Sequence, residues 1–445
     1  MSCHPTVPST PHGRRQRGGA LALALLAAAS PAFAQAPPED AVAELRRELD
    51  ALKSEQAERD LKIQRLEAAL VRLEGGAAAA TPAVAVQGAA APAPAAAPAA
   101  IPATGESRLR ISGDLRVRGQ ADTSDRDGRD RYSTQLRGRI GATYEVNDRI
   151  LAGARLATGD ADDPNSTDVQ LSNWLDDLDV SLDQAYLRFR YDGLDLYAGK
   201  MPQPFARTEL VWDGDVNPQG LGATYRRPLG GGGAFRANGL LFVVDERAAG
   251  SDSTMLGAQL GYDSAALGPW RFDVSGAYYH YALGSIAGAD AGDLRSNLLA
   301  PDGSYLSDFH LANALVGATY GGFGDRWPLR IVGDYVKNLG AQTPADTGYG
   351  IDLMLGRSGQ PGDWRITYGH AMAQTDAVLA AFSHDNIGIG TNYRMHALTV
   401  DYVPMPRTML SAIWYRYRPE DPLHAGGNDP NDWLNRFRLA FLVSF

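Results

Sequence analysis

From Arg108 to the C-terminus, hydrophobic and polar residues alternate with a period of two. Leu136, Gly138, Ile140, Ala142, Tyr144 and Val146 interleave with Gln135, Arg137, Arg139, Thr143 and Glu145. Ala185, Leu187, Phe189 and Tyr191 interleave with Gln184, Tyr186, Arg188 and Arg190. At the end of the chain Phe437, Leu439, Phe441, Val443 and Phe445 interleave with Arg436, Arg438, Ala440 and Ser444. Successive side chains of a strand point to opposite faces, so this period predicts strands that are greasy on one face and polar on the other. Segments near 394–402 and 408–418 alternate poorly.

Short turns are predicted at Asn147-Asp148, Asp192-Gly193, Pro228 to Gly233, Ser264 to Gly268, Gly321 to Asp325, Gly359 to Gly362 and Pro404 to Pro406. Longer polar loops fall between them. This spacing predicts about 16 antiparallel strands, with both ends of the sheet on the short-turn side. In water the greasy face would be a large exposed apolar patch. In lipid it needs no cover, and closing the sheet leaves no unpaired edge. The expected fold is therefore all-β: a transmembrane β-barrel of about 16 antiparallel strands over residues 107–445. Tyr144, Tyr191, Tyr225, Tyr262, Tyr320 and Tyr402 each stand shortly before a short turn, and Trp270, Trp327 and Trp364 shortly after one. An aromatic girdle at a membrane interface produces that pattern. A soluble β-sandwich or β-helix is the competing fold; its strands are usually shorter and its turn lengths need not alternate.

The period changes upstream. Residues 39–74 carry a heptad seam with Val42, Leu49, Ile63 and Leu70 at a, and Leu45, Leu52, Leu66 and Leu73 at d, interrupted by Gln56 and Arg59. Such a seam is buried only against other helices, which predicts a coiled coil over 35–74. Residues 75–106 are nearly all Ala, Pro and Gly and read as an extended linker. Arg14, Arg15 and Arg17 precede the apolar run Ala20 to Ala29 and an Ala32-Phe33-Ala34 site, the three parts of a secretory signal peptide over 1–34. Export places the barrel in the outer membrane of a Gram-negative cell, with the coiled coil and linker in the periplasm.

Composition narrows the function. The one cysteine is Cys3, inside the predicted signal peptide, so disulfide and thiol chemistry are not expected of the mature chain. A net charge of −10 argues against a nucleic-acid partner. Asp213-x-Asp215-x-Asn217 opens like a calcium loop, but Pro218 stands where the turn glycine belongs. The histidines lack metal-ligand spacing. No catalytic residues, metal or cofactor are expected, and the chain is not expected to be an enzyme.

Two stretches carry a family resemblance. Ala198-Gly199-Lys200-Met201-Pro202-Gln203-Pro204-Phe205, followed by Leu210-Val211-Trp212-Asp213-Gly214-Asp215-Val216-Asn217-Pro218, resembles the bacterial putative-porin family, distantly similar to phosphate-selective porins. Phe445, ending an aromatic-rich strand, resembles the terminal signal read by barrel insertion machinery. The resemblance implies a 16-stranded, homotrimeric porin among outer-membrane lipid and lipopolysaccharide, passing small polar solutes.

In 16-stranded porins the loop after the fifth strand narrows the lumen. Here that loop runs from Pro202 to Gln219 and carries Arg207, Glu209, Asp213 and Asp215. Inward positions on the first four strands hold Arg108, Arg110, Arg116, Arg118, Arg137, Arg139, Arg155, Arg188 and Arg190, and closure would add Arg436 and Arg438. If the acidic loop faces this wall, a transverse field crosses the narrow zone and sets ion preference. The alternative is that the arginines brace the wall by pairing with Asp114, Glu145 and similar carboxylates. The wall leans toward anionic or zwitterionic solutes, while acids in the outer loops lean the other way. The expected function is a passive diffusion porin; a barrel-anchored tether or adhesin acting through the coiled coil is the alternative.

Overall fold

The computed structural model describes residues 108–125, 130–160, 163–171, 178–248, 250–284, 296–425 and 429–445. The predicted signal peptide, coiled coil and linker lie outside the described residues. The described chain is a single sheet of β1 (Leu109–Ser124), β2 (Arg131–Glu145), β3 (Ile150–Thr158), β4 (Val169–Gln170), β5 (Val180–Tyr191) and β6 (Leu194–Lys200), continuing through β7 (Gln219–Pro228), β8 (Ala234–Asp245), β9 (Ser253–Asp263), β10 (Trp270–Ala282), β11 (His310–Tyr320) and β12 (Leu329–Asn338). It ends with β13 (Thr347–Gly356), β14 (Trp364–Ala373), β15 (Tyr393–Tyr402), β16 (Thr408–Pro419) and β17 (Leu434–Ser444). Each long strand pairs antiparallel with the next, and β17 returns to β1, with Asp122 opposite Arg436 and Gln120 opposite Arg438. The two-residue β4 pairs only with the upper part of β2. The result is a closed 16-stranded antiparallel barrel with one extra short strand. Among the described residues there is no α-helix.

The seven short turns fall where the punctuation of the sequence places them. Asp192 and Gly193 both take positive φ, which lets a two-residue connection follow the strand twist. The even-residue face of β1 points inward with Asp114, Arg116, Arg118 and Gln120, while Ile111, Leu115 and Val117 face out and stay exposed. Outward aromatics gather at the short-turn end as cross-strand pairs. Trp270 lies against Tyr320 with ring centroids 4.7 Å apart, and Trp364 stacks on Tyr402 at 4.5 Å.

The apolar core lies inside the barrel. The loop joining β6 to β7 buries Phe205, Leu210, Val211, Trp212 and Val216 against inward residues of the wall. A second loop, joining β14 to β15, buries Ala377, Val378, Leu379 and Phe382 in the same cluster. Phe382 stacks on Trp212 at 5.7 Å, and Asp213 N–H donates to the Phe382 carbonyl at 2.8 Å. This core explains the weak alternation of β15 and β16. Their inward faces carry Met395, Ala397, Ile413, Tyr415 and Tyr417, which meet the inward loops rather than water.

Candidate functional site

Glycines let the β6–β7 loop turn into the lumen. Gly199 and Gly220 face each other across β6 and β7, both with positive φ. A Cβ at Gly199 would collide with the Ala185 carbonyl, and one at Gly220 with that of Leu241. From there the loop crosses to distant strands. Ala206 N–H donates to Gln259 on β9, Thr208 donates to Asp334 on β12, and Arg139 on β2 reaches Asp215 at 2.9 Å. The β3–β5 loop joins it, with the Thr167 hydroxyl donating to Asp215 and Asn165 to the Ser383 carbonyl of the β14–β15 loop.

The arginines of the first strands do line the interior, but most are paired. Asp168 takes Arg116 at 2.6 Å and Arg118 at 2.5 Å. Asp114 takes both Arg137 and Arg139 at 2.8 Å. Arg155 pairs with Asp183, Arg436 with Asp122 at 2.6 Å, and Arg190 with Glu145 at 3.6 Å. Arg438 donates to Gln120 and Asn386. Arg188 has no ion pair among the described residues, and Arg110 is exposed near the short-turn end of β1. Arg108 precedes that strand. A cavity of about 420 Å³ opens against this wall, lined by six guanidinium groups and six carboxylates.

The loop acids are not equivalent. Burial pushes Asp168 and Asp215 upward, but the arginines beside them outweigh it and hold both below the usual carboxylate range. Burial pushes Asp213 well above that range, and the neighbouring Glu209, with which it shares a hydrogen bond, adds to the effect. Glu209 is raised too, burial outweighing the Arg207 guanidinium. Arg207 itself donates to the Gly214 carbonyl at 3.3 Å. The Glu209–Asp213 pair is therefore shifted upward while the adjacent Asp215 is shifted downward.

A second cavity, about 210 Å³, lies on the far side of Glu209. In a closed ring of sixteen strands β10 is the strand opposite β1, and inward acids of this region face the basic wall: Asp273 on β10, Asp334 on β12 and Asp352 on β13. Asp273 is neutralised by Arg330 at 2.8 Å. His384 and Tyr393 also line this cavity; they are 1% and 0% exposed, and neither the imidazole nitrogens nor the phenol oxygen has a hydrogen-bond partner. Burial, then Arg438 and Arg436, lowers His384 to about 4, so the ring is neutral.

Sequence reasoning missed the acids of β12 and β13 and the whole β14–β15 loop. The first had a signal: Arg330, Val332, Asp334 and Val336 alternate with Ile331, Gly333 and Tyr335. The second is the apolar run Ala377 to Phe382 inside a connection, which a surface loop does not need. Two histidine pairs also emerge from the strand register, His280 across from His310 and His370 across from His396. No group of three metal ligands occurs among the described residues.

A closed antiparallel barrel with interior loops and charged cavities is the architecture of outer-membrane porins. Residues 123–293 match the profile of a family described as putative porin, a segment that contains the motif stretches of residues 198–218. No curated protein matches the chain. Among solved structures, OprB of Pseudomonas putida is similar over 76% of this chain and 94% of its own, with 11% identity and a TM-score of 0.50. OmpT of Vibrio cholerae, solved in a trimer form, gives 12% identity, coverage of 76% and 99%, and a TM-score of 0.45. A mutant Rhodopseudomonas blastica porin gives 12%, 76% and 100%, and 0.41. At these identities the likeness to OprB speaks for the fold.

Proposed function

We propose that the protein is an outer-membrane channel for passive diffusion of small hydrophilic solutes or ions. The observation that carries this reading is the pair of charged cavities inside a closed barrel whose outer face is apolar. A barrel that served only as an anchor would need no such polar interior. The β6–β7 loop acts as the constriction, with Arg207, Glu209, Asp213 and Asp215 at its narrow zone. The arginine wall is largely self-neutralised, so the acids left over near Asp352 give the lumen a modest preference for cations. Loops at the long-loop end face the medium and the short turns face the periplasm. Phe445 serves insertion, and the family resemblance supports a homotrimer in lipid and lipopolysaccharide, with residues 35–106 as a periplasmic coiled coil and linker.

The test is swelling of liposomes that hold the purified protein, in small sugars and amino acids. Swelling that slows as solute size rises supports the channel. Swelling equal to that of protein-free liposomes overturns it, and the tether reading then takes its place.

A further inference from the structure

The smaller lumen cavity is lined by more carboxylates than guanidinium groups. Once Asp273 and Arg330 cancel, its charged lining is Glu209, Asp334, Asp352 and Arg207. Asp334 accepts from Thr208 and Asn313, but Asp352 has no hydrogen-bond or ion-pair partner among the described residues. Arg207 donates from Nη2 to the Gly214 carbonyl, while its Nη1 has no hydrogen-bond partner, so one guanidinium stands against three carboxyl groups. Around these acids the His384 ring and the Tyr393 hydroxyl are fully buried and unpartnered, and Nδ1 of His370 and Nε of Arg330 also lack partners. A buried polar group without a partner is unfavourable, so such groups are expected to meet a ligand or water. The rest of the lining mixes polar Ser275, Thr367 and Thr399 with apolar Leu210, Leu315 and Met395.

We propose that this cavity is a retention site for a small organic cation, a primary ammonium on an apolar or aromatic body. The ammonium supplies three donors and one positive charge, matching Asp352, the Tyr393 oxygen and a neutral imidazole nitrogen of His384. The apolar body packs against Leu210, Leu315 and Met395. A carboxylate solute would meet Asp352 and Glu209 as like charges, and a neutral isostere would leave the half-buried charge of Asp352 uncompensated. The site deepens the channel reading and rests on it for how the ligand arrives.

The experiment uses the full-length protein in two formats. Equilibrium dialysis of the detergent-solubilised protein measures binding of benzylammonium, benzyl alcohol and benzoate, and single-channel recording measures interruptions of the current by each. Saturable binding and current interruptions are expected for benzylammonium and not for benzoate. Both are lost in Asp352→Asn and weakened in Tyr393→Phe, with Asp302→Asn on an exposed loop as the control. An equal response to benzyl alcohol or benzoate, or an unchanged response in both variants, overturns the site. A conducting barrel that neither binds nor responds to benzylammonium also overturns it and leaves the channel standing. A barrel that binds benzylammonium through Asp352 but never conducts keeps the site and overturns the channel.

Discussion

Arg139 on the barrel wall donates to Asp215 in the β6–β7 loop at 2.9 Å, with both side chains mostly buried. The loop therefore touches the basic wall instead of facing it across open water. Asp215→Asn leaves Arg139 still paired with Asp114, so its cost falls below the about 3–5 kcal/mol of an orphaned buried charge. Arg139→Met takes a partner from both carboxylates, leaving Asp114 only Arg137 and Asp215 only the Thr167 hydroxyl as side-chain donors, so it costs more than Asp215→Asn and approaches that range. Thermal unfolding followed by gel mobility should rank Arg139→Met below Asp215→Asn below the unmodified protein.

In the proposed channel the Glu209–Asp213 pair should make selectivity depend on pH. Both groups are raised, so they ionise above the ordinary carboxylate range of about 4. Rising pH adds negative charge beside Arg207, Asp215 and Asp385, and cation preference should increase through that window. Reversal potentials measured across a pH series check this, and Glu209→Gln should flatten the curve. Asp215 has the opposite sign: its folded value is depressed, so its stabilising contribution is present above about 3.9 and lost as pH falls through the lower folded value.

Trp212 joins the two inward loops through its stack on Phe382 and ties them to the wall through its edge contact with Tyr279 of β10 at 5.6 Å. Trp212→Ala should cost about 3–5 kcal/mol by the usual scale for large-to-small changes in a core. Loosened loops should make the open-channel current noisier and admit proteases to residues 201–218. A quiet, resistant Trp212→Ala channel would show that the loops are held by other contacts.

The outer face is a separate test of the barrel. Leu439 lies mid-strand on β17, points outward and is 64% exposed. Leu439→Arg places a cation in the lipid zone at a cost of about 2–4 kcal/mol. Its yield of folded protein in vesicles should fall well below that of an inward change such as Ser112→Arg. Equal yields would mean that Leu439 does not face lipid.

The barrel was legible because two strong signals agreed, alternation along strands and alternation of turn lengths. Asp192-Gly193 and the Trp364 and Tyr402 positions show how closely turn chemistry and interface aromatics mark the strand ends. Inward arginines were also legible, since one closed sheet fixes which face each residue takes. Their partners were not. Asp168 lies 52 residues from Arg116 and Asp122 lies 314 from Arg436, and no local pattern encodes contacts that only barrel closure creates. The buried run Ala377 to Phe382 was hidden for a related reason: its packing partner, Trp212, belongs to another loop.

The central claim is that the interior of this barrel is a water-filled, charge-lined path. Single-channel recording of the purified protein in a planar bilayer under a salt gradient tests it most directly. The account predicts discrete, long-lived open steps and a reversal potential displaced modestly toward cations. A folded, inserted barrel that passes no current at any voltage or pH would contradict it.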